Sequence, residues 1–182
     1  MAAQIATPSH SATVTLVLGG ARSGKSAYAE ALVEAGGRGL YLATAEAGDA
    51  EMAERILGHR QRRGESWITV EEPLDLAGAL KRHAAPERPI LVDCLTLWLS
   101  NVMAAGRDPD GEALALADGL SKLAGPVVLV SNEVGLGLVP ETPLGRTFRD
   151  HAGRLNQTIA RIADRVVFIA AGLPLILKDT QA

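Results

Sequence analysis

Residues Gly19-Gly20-Ala21-Arg22-Ser23-Gly24-Lys25-Ser26 complete a G-x-x-x-x-G-K-[ST] run without a mismatch. A short apolar stretch precedes it at 14–18, and a helix-period stretch follows at 26–35, ended by Gly36-Gly37. The chemistry that needs this spacing is the holding of a polyphosphate. Glycines let the backbone wrap an anion with successive N–H groups turned inward, and the start of a helix adds partial positive charge. Lys25 then reaches the β- and γ-phosphates, and the Ser26 hydroxyl can ligate Mg²⁺. A chance glycine-rich turn is the competing reading, and the strand–loop–helix setting weighs against it.

A triphosphate site of this kind needs an acidic residue at the end of a neighbouring apolar strand, to hold the metal and its water. Ile90-Leu91-Val92-Asp93 supplies one. Asp93 has an alternative role as the cap of the helix that follows. Glu133, just after the apolar run 127–131, is a second carboxylate at a strand's carboxyl end. Open α/β sheets bind ligands at that edge. No N-K-x-D occurs, so the usual GTPase route to guanine recognition is missing.

Among the four histidines, His10, His83 and His151 have bland explanations: a terminal extension, a solvated helix end and a surface ion pair beside Asp150. His59 is spaced differently. It falls four residues after Arg55 and eight after Glu51, on one helical face, and Arg60, Arg62 and Arg63 follow at once. Nearby cations favour the neutral, nucleophilic imidazole, whereas the end of a helix favours the imidazolium. On local chemistry alone a solvated surface histidine remains open, as does a solvated arginine face.

These residues need a frame, and the pattern around them provides it. Apolar strand-like runs are predicted at 14–18, 39–44, 67–70, 89–93, 127–131, 166–170 and 175–178. Helical periods are predicted at 26–35, 49–63, 74–83, 95–104, 112–123 and 144–163, with 107–111 as a loop. Alternation of this kind means an α/β fold: a mainly parallel sheet with helices on both faces, three layers in all, with antiparallel pairing near the C-terminus. Residues 1–12 are expected to be a disordered extension and 13–182 a single nucleotide-binding catalytic domain.

Composition narrows the function classes. At 182 residues the chain buries roughly 70% of its unfolded surface and needs no disulfide or metal to fold. A net charge of −3, four lysines and 3% aromatics give no support to nucleic-acid binding. The single cysteine, Cys94, excludes an internal disulfide and reads as a buried, inert thiol. The longest apolar run, 166–177, is broken by Gly172 and Pro174, too short to span a bilayer. Residues 1–12 carry no Lys, no Arg and no apolar core, so they do not read as a signal. A cytoplasmic protein without membrane insertion is expected.

The motifs taken in order carry more than any one alone. After the phosphate loop come Leu40-Tyr41-Leu42-Ala43-Thr44-Ala45, then Glu51-Met52, Arg55-Ile56 and His59. Trp67, Thr69 and Glu71 follow, then Val92-Asp93-Cys94-Leu95-Thr96 and Asn101. Last come Ser131-Asn132-Glu133-Val134-Gly135 with Gly137, Val139 and Pro140, and Gly153-Arg154-Leu155-Asn156-Gln157. The set closely resembles the bifunctional adenosylcobinamide kinase/adenosylcobinamide-phosphate guanylyltransferases of cobalamin biosynthesis, over residues 14–178. The resemblance implies a P-loop NTPase-like fold and two reactions: phosphorylation of adenosylcobinamide by ATP or GTP, then transfer of GMP from GTP to the adenosylcobinamide-phosphate. It further implies a covalent GMP-histidine, placed here at His59. Some relatives carry two adjacent histidines at this point, and Gly58 stands in the first position here. By the same carry-over, nucleotide contacts fall to Gly19 through Ser26, to Leu42, Ala43 and Thr44, to Arg60, Gln61, Arg62 and Arg63, and to Glu71 and Asp93. Lys25 is the second catalytic residue, Ser26 and Asp93 the Mg²⁺ ligands, and a homotrimer the implied assembly. A single-function small-molecule kinase and a non-catalytic nucleotide-gated protein are the alternatives.

Overall fold

The computed structural model describes residues 13–45 and 67–180. The predicted helix at 49–63, with His59 and Arg60 through Arg63, lies outside the described residues, as do residues 1–12. Within them the chain runs β1 (Val14–Gly19), α1 (Lys25–Glu34), β2 (Gly39–Ala43), β3 (Trp67–Glu71), α2 (Leu76–His83), β4 (Ile90–Asp93) and α3 (Leu95–Ala104). It continues with α4 (Pro109–Leu120), β5 (Val127–Asn132), α5 (Pro143–Ile162), β6 (Arg165–Ala170) and β7 (Leu173–Asp179). The strands form one sheet in the order β3-β2-β4-β5-β1-β6-β7. All neighbours are parallel except β6 and β7.

The central strands are apolar without alternation because both their faces are covered. Every residue of β1 is buried, and Leu16 and Val17 have no exposed surface though they point to opposite sides. On one side Leu16, Leu42, Val92 and Leu129 pack against α2 to α5 through Leu80, Trp98, Leu116 and Ile159. On the other, Val17, Tyr41, Leu91 and Val130 pack against Ala29 and Val33 of α1. The predicted three layers are therefore present, with antiparallel pairing at the C-terminal edge.

Capping chemistry sets the helix starts. The Asp75 carboxylate accepts from the Gly78 N–H and opens α2, and Thr142 accepts from the Gly145 N–H and opens α5. Asp108 likewise caps α4, with Pro109 in the first turn, so that helix begins three residues before the predicted 112. The predicted loop 107–111 is thus largely a helix start. Proline has no N–H to lose there, and its fixed φ suits the first turn.

Strand β7 is tied to the body at both ends. Lys178 Nζ donates to the Ala160 and Arg161 carbonyls at 3.2 and 3.1 Å, neutralising the negative end of α5. The β6–β7 turn is made by Ala171 (φ 52°) and Gly172 (φ 78°), both left-handed. That matches the twist of a two-residue hairpin, but it costs an alanine steric strain. Cys94 is buried, and burial, with the Asp93 charge beside it, pushes its thiol up to about 11. Among the described residues no helix is long and apolar enough to cross a membrane.

Ala171→Asn converts this turn to Asn-Gly, which accepts left-handed φ at both positions. The expected gain is about 0.5–1 kcal/mol, a rise of about 2 °C in thermal midpoint, read from a melting curve.

Candidate functional site

Parallel strands end together, so the residues that close β1, β2, β3, β4 and β5 meet along one edge. Gly19 lies in register with Asn132, Ala43 with both Glu71 and Asp93, and Asp93 with Val130. The phosphate loop leaves this edge from Gly19. Two left-handed residues, Arg22 (φ 57°) and Gly24 (φ 96°), bend it back so that α1 starts at Lys25. A Cβ on Gly19 would stand 2.5 Å from Ser23 Oγ and 2.7 Å from the Ile169 carbonyl, so no larger residue fits.

Three contacts brace the loop, two of them from outside. The Glu133 N–H donates to the Gly19 carbonyl at 3.1 Å, and the Gly172 N–H of the hairpin turn donates to the Ser23 carbonyl at 2.8 Å. Lys25 Nζ donates to the Gly20 carbonyl at 3.1 Å. The start of α1 has no side-chain cap and no acidic residue in its first turn, so its N–H groups stay available to an anion. Ser23 Oγ is buried without a partner among the described residues, a further donor in the same loop.

Asp93 closes β4, and it is not a helix cap. The cap position of α3 is Cys94, and Asp93 Oδ2 instead accepts the Tyr41 hydroxyl at 2.9 Å. Tyr41 carried no role in the sequence reading; only strand pairing shows that β2 delivers it to β4. The neighbouring corner is built by Thr44. Its hydroxyl accepts from the Cys94 N–H at 2.8 Å and donates to the Cys94 carbonyl at 2.7 Å. Asn101 Nδ2 donates to the Thr44 carbonyl at 2.8 Å, so α3 is pinned across the end of β2.

The predicted residues are therefore sorted by position. Gly19 through Ser26, Ala43, Glu71 and Asp93 line the open edge. Leu42 is fully buried between β3 and β4, and Thr44 is buried with its hydroxyl and its backbone bonded to Cys94, Asp93 and Asn101, so these two support the edge from within. His59, Arg60, Gln61, Arg62 and Arg63 fall outside the described residues. His151 differs from the expected pairing with Asp150: its Nδ1 lies 3.0 Å from Asp110 Oδ1, where Arg154 Nε also donates. The Arg154 and His151 hydrogen bonds hold the Asp110 carboxyl below its usual range. This cluster joins α4 to α5 and is a structural contact.

Residues 15–177 match the family described as cobinamide kinase/cobinamide phosphate guanyltransferase. The bifunctional adenosylcobalamin biosynthesis protein CobP of Pseudomonas aeruginosa is 53% identical over 167 residues, covering 90% of this chain and 96% of that one. The bifunctional adenosylcobalamin biosynthesis protein CobU of Escherichia coli is 40% identical over 178 residues, covering 90% and 98%. Its Salmonella typhimurium counterpart has the same identity and coverage. Among solved structures, the RadB recombinase is similar over 87% of this chain and 74% of that one, with 16% identity and a TM-score of 0.48.

Thr44→Val keeps the shape of the corner but removes the acceptor of the buried Cys94 N–H. Stability is expected to fall by about 2 kcal/mol, the cost of one buried unpaired donor, measured by urea unfolding.

Proposed function

The chain belongs to the cobinamide kinase/cobinamide phosphate guanyltransferase family, and on that premise we propose that it phosphorylates adenosylcobinamide with ATP or GTP. It then transfers GMP from GTP to the phosphate so formed, releasing pyrophosphate and giving adenosylcobinamide-GDP. The observation that carries this reading is the braced phosphate loop opening an uncapped α1, with Asp93 at the end of the strand beyond β5.

In the first reaction the substrate hydroxyl oxygen bonds to the γ-phosphorus as the bond to the β–γ bridging oxygen breaks. The nucleoside diphosphate leaves with the electron pair, and the hydroxyl proton passes to water. Catalysis of this step is mostly positioning and charge. The loop N–H groups and the Ser23 hydroxyl cradle the phosphates, and Lys25 swings from the Gly20 carbonyl onto their outer oxygens.

The residues at the edge suit Mg²⁺, which favours oxygen ligands and is held by few protein groups beside substrate phosphates and water. Ser26 offers a hydroxyl, and Asp93 keeps one carboxylate oxygen clear of the Tyr41 bond. Mg²⁺ held there supplies charge neutralisation at the phosphates.

In the second reaction both reactants are anions, and a covalent route separates them. A neutral ring nitrogen of His59 attacks the α-phosphorus, the bond to the α–β bridging oxygen breaks, and pyrophosphate departs. The other ring nitrogen sheds its proton as the P–N bond forms. The substrate phosphate then displaces the histidine, which regains that proton. Arg60, Arg62 and Arg63 supply positive charge beside it. Ala43, Gln61 and Glu71 complete the nucleotide contacts, with Leu42 and Thr44 supporting them from the buried side. The protein acts as a cytoplasmic homotrimer.

Incubation with α-labelled GTP and Mg²⁺, followed by denaturation, tests the covalent step. Wild type is expected to retain label that is labile in acid and stable in alkali, and His59→Ala to retain none. Retention by neither protein while GTP binds would leave a kinase alone. For the kinase step, Lys25→Ala is expected to lower kcat by about a hundredfold or more. An unchanged rate would remove Lys25 from the reaction.

A further inference from the structure

Three sequence stretches without a part in the chemistry above, around Thr96, Ser131 and Asn156, meet in one buried network. Asn156 Oδ1 accepts the Ser131 hydroxyl at 2.7 Å, and Asn156 Nδ2 donates to the Asn132 carbonyl at 3.2 Å. Thr96 Oγ1 accepts the Asn132 N–H at 2.8 Å. Thr96, Ser131 and Asn156 are all buried. The Asn132 peptide is thus gripped on both sides, by α3 through Thr96 and by α5 through Asn156. One residue on, the Glu133 N–H bonds the Gly19 carbonyl, so the grip reaches the start of the phosphate loop.

Strand alternation fixes where the Asn132 side chain goes. Ser131 turns to α5, so Asn132 turns to the α1 side, as Val128 and Val130 do on the same strand. Asp93 is on that side too, two residues after Leu91 and bonded to Tyr41. Asn132 closes the strand that separates β1 from β4, so its amide lies between the phosphate loop and Asp93. That amide makes no hydrogen bond with the described residues and is half-buried. The adjacent Glu133 is not a substitute, because its carboxylate turns back onto the Gly135 N–H at 2.6 Å. Burying three polar side chains to fix one peptide makes physical sense where a side chain must be aimed, because a fully bonded buried network gives rigidity.

We propose that Asn132 donates its side-chain amide to the terminal phosphoryl oxygens of the bound triphosphate, and that Asn156 is the positioning residue that aims it. The proposal rests on the nucleotide reading of the loop. The amide forms no bond to phosphorus and takes up no proton; it recognises the third phosphate and restrains it for transfer.

Calorimetric titration of the full chain with Mg·GTP and with Mg·GDP tests this, with melting curves as the folding control. For Asn132→Ala, GTP affinity is expected to fall about tenfold or more, as for one hydrogen bond to a charged group, with GDP affinity within about twofold of wild type. Its thermal midpoint should not move. Asn156→Asp replaces the donor facing the Asn132 carbonyl and should lose the same GTP-over-GDP preference; Ser131→Ala takes its place should that variant not fold. A wild-type GTP/GDP ratio in Asn132→Ala, with wild type binding normally, overturns the phosphate contact and leaves the nucleotide reading standing. A lowered midpoint with an unchanged ratio in the Asn156 or Ser131 variant makes that network structural only. If wild type binds neither nucleotide, the nucleotide reading falls and the proposal with it.

Discussion

A loop that turns its N–H groups inward around an anion cannot satisfy its own hydrogen bonds, and the rest of this structure is arranged to tolerate that. The turn from Gly19 to Lys25 needs left-handed backbone at two places, one of them at a residue with a side chain, Arg22. Such a loop holds its shape only if its carbonyls are gripped from outside, because its N–H groups are reserved. Glu133 grips Gly19 and the hairpin turn grips Ser23. The strands that carry these braces, β5 and β6, are the two that flank β1.

The sheet separates two kinds of polar chemistry by face. On the α1 side, Asp93 and Asn132 stand at the open edge, with Tyr41 buried behind Asp93. On the α3–α5 side, Thr44, Thr96, Ser131 and Asn156 spend their hydrogen bonds on backbone or on one another inside the protein. Because side chains alternate along a strand, adjacent residues at one strand end serve both purposes. Ser131 belongs to the interior and Asn132 to the edge, with one peptide bond between them.

The parts legible in the sequence were those fixed by local spacing. The phosphate loop is contiguous, and the central strands are runs of apolar residues that admit no other burial. The start of α4 was readable in principle, since Asp108-Pro109 is a cap followed by a first-turn proline; the helical period alone placed it too late. Pairings between distant residues were not legible. His151 meets Asp110 rather than its neighbour Asp150, and Tyr41 reaches Asp93 across 52 positions, because tertiary packing chooses the partner. Asn101, Thr96 and Asn156 belonged to recognisable motifs, yet no single motif shows that the last two converge on Asn132.

The place of β1 in the sheet has a consequence for synthesis. The earliest described strand is flanked by strands that begin more than 100 residues later, at Val127 and Arg165. The phosphate loop leaves the ribosome more than 100 residues ahead of its braces at Glu133 and Gly172. Contacts so distant form slowly, because loop closure must come before any of them is rewarded. A nascent chain therefore carries the whole phosphate motif long before it has the geometry to hold a phosphate, and nucleotide binding waits until both braces have been made.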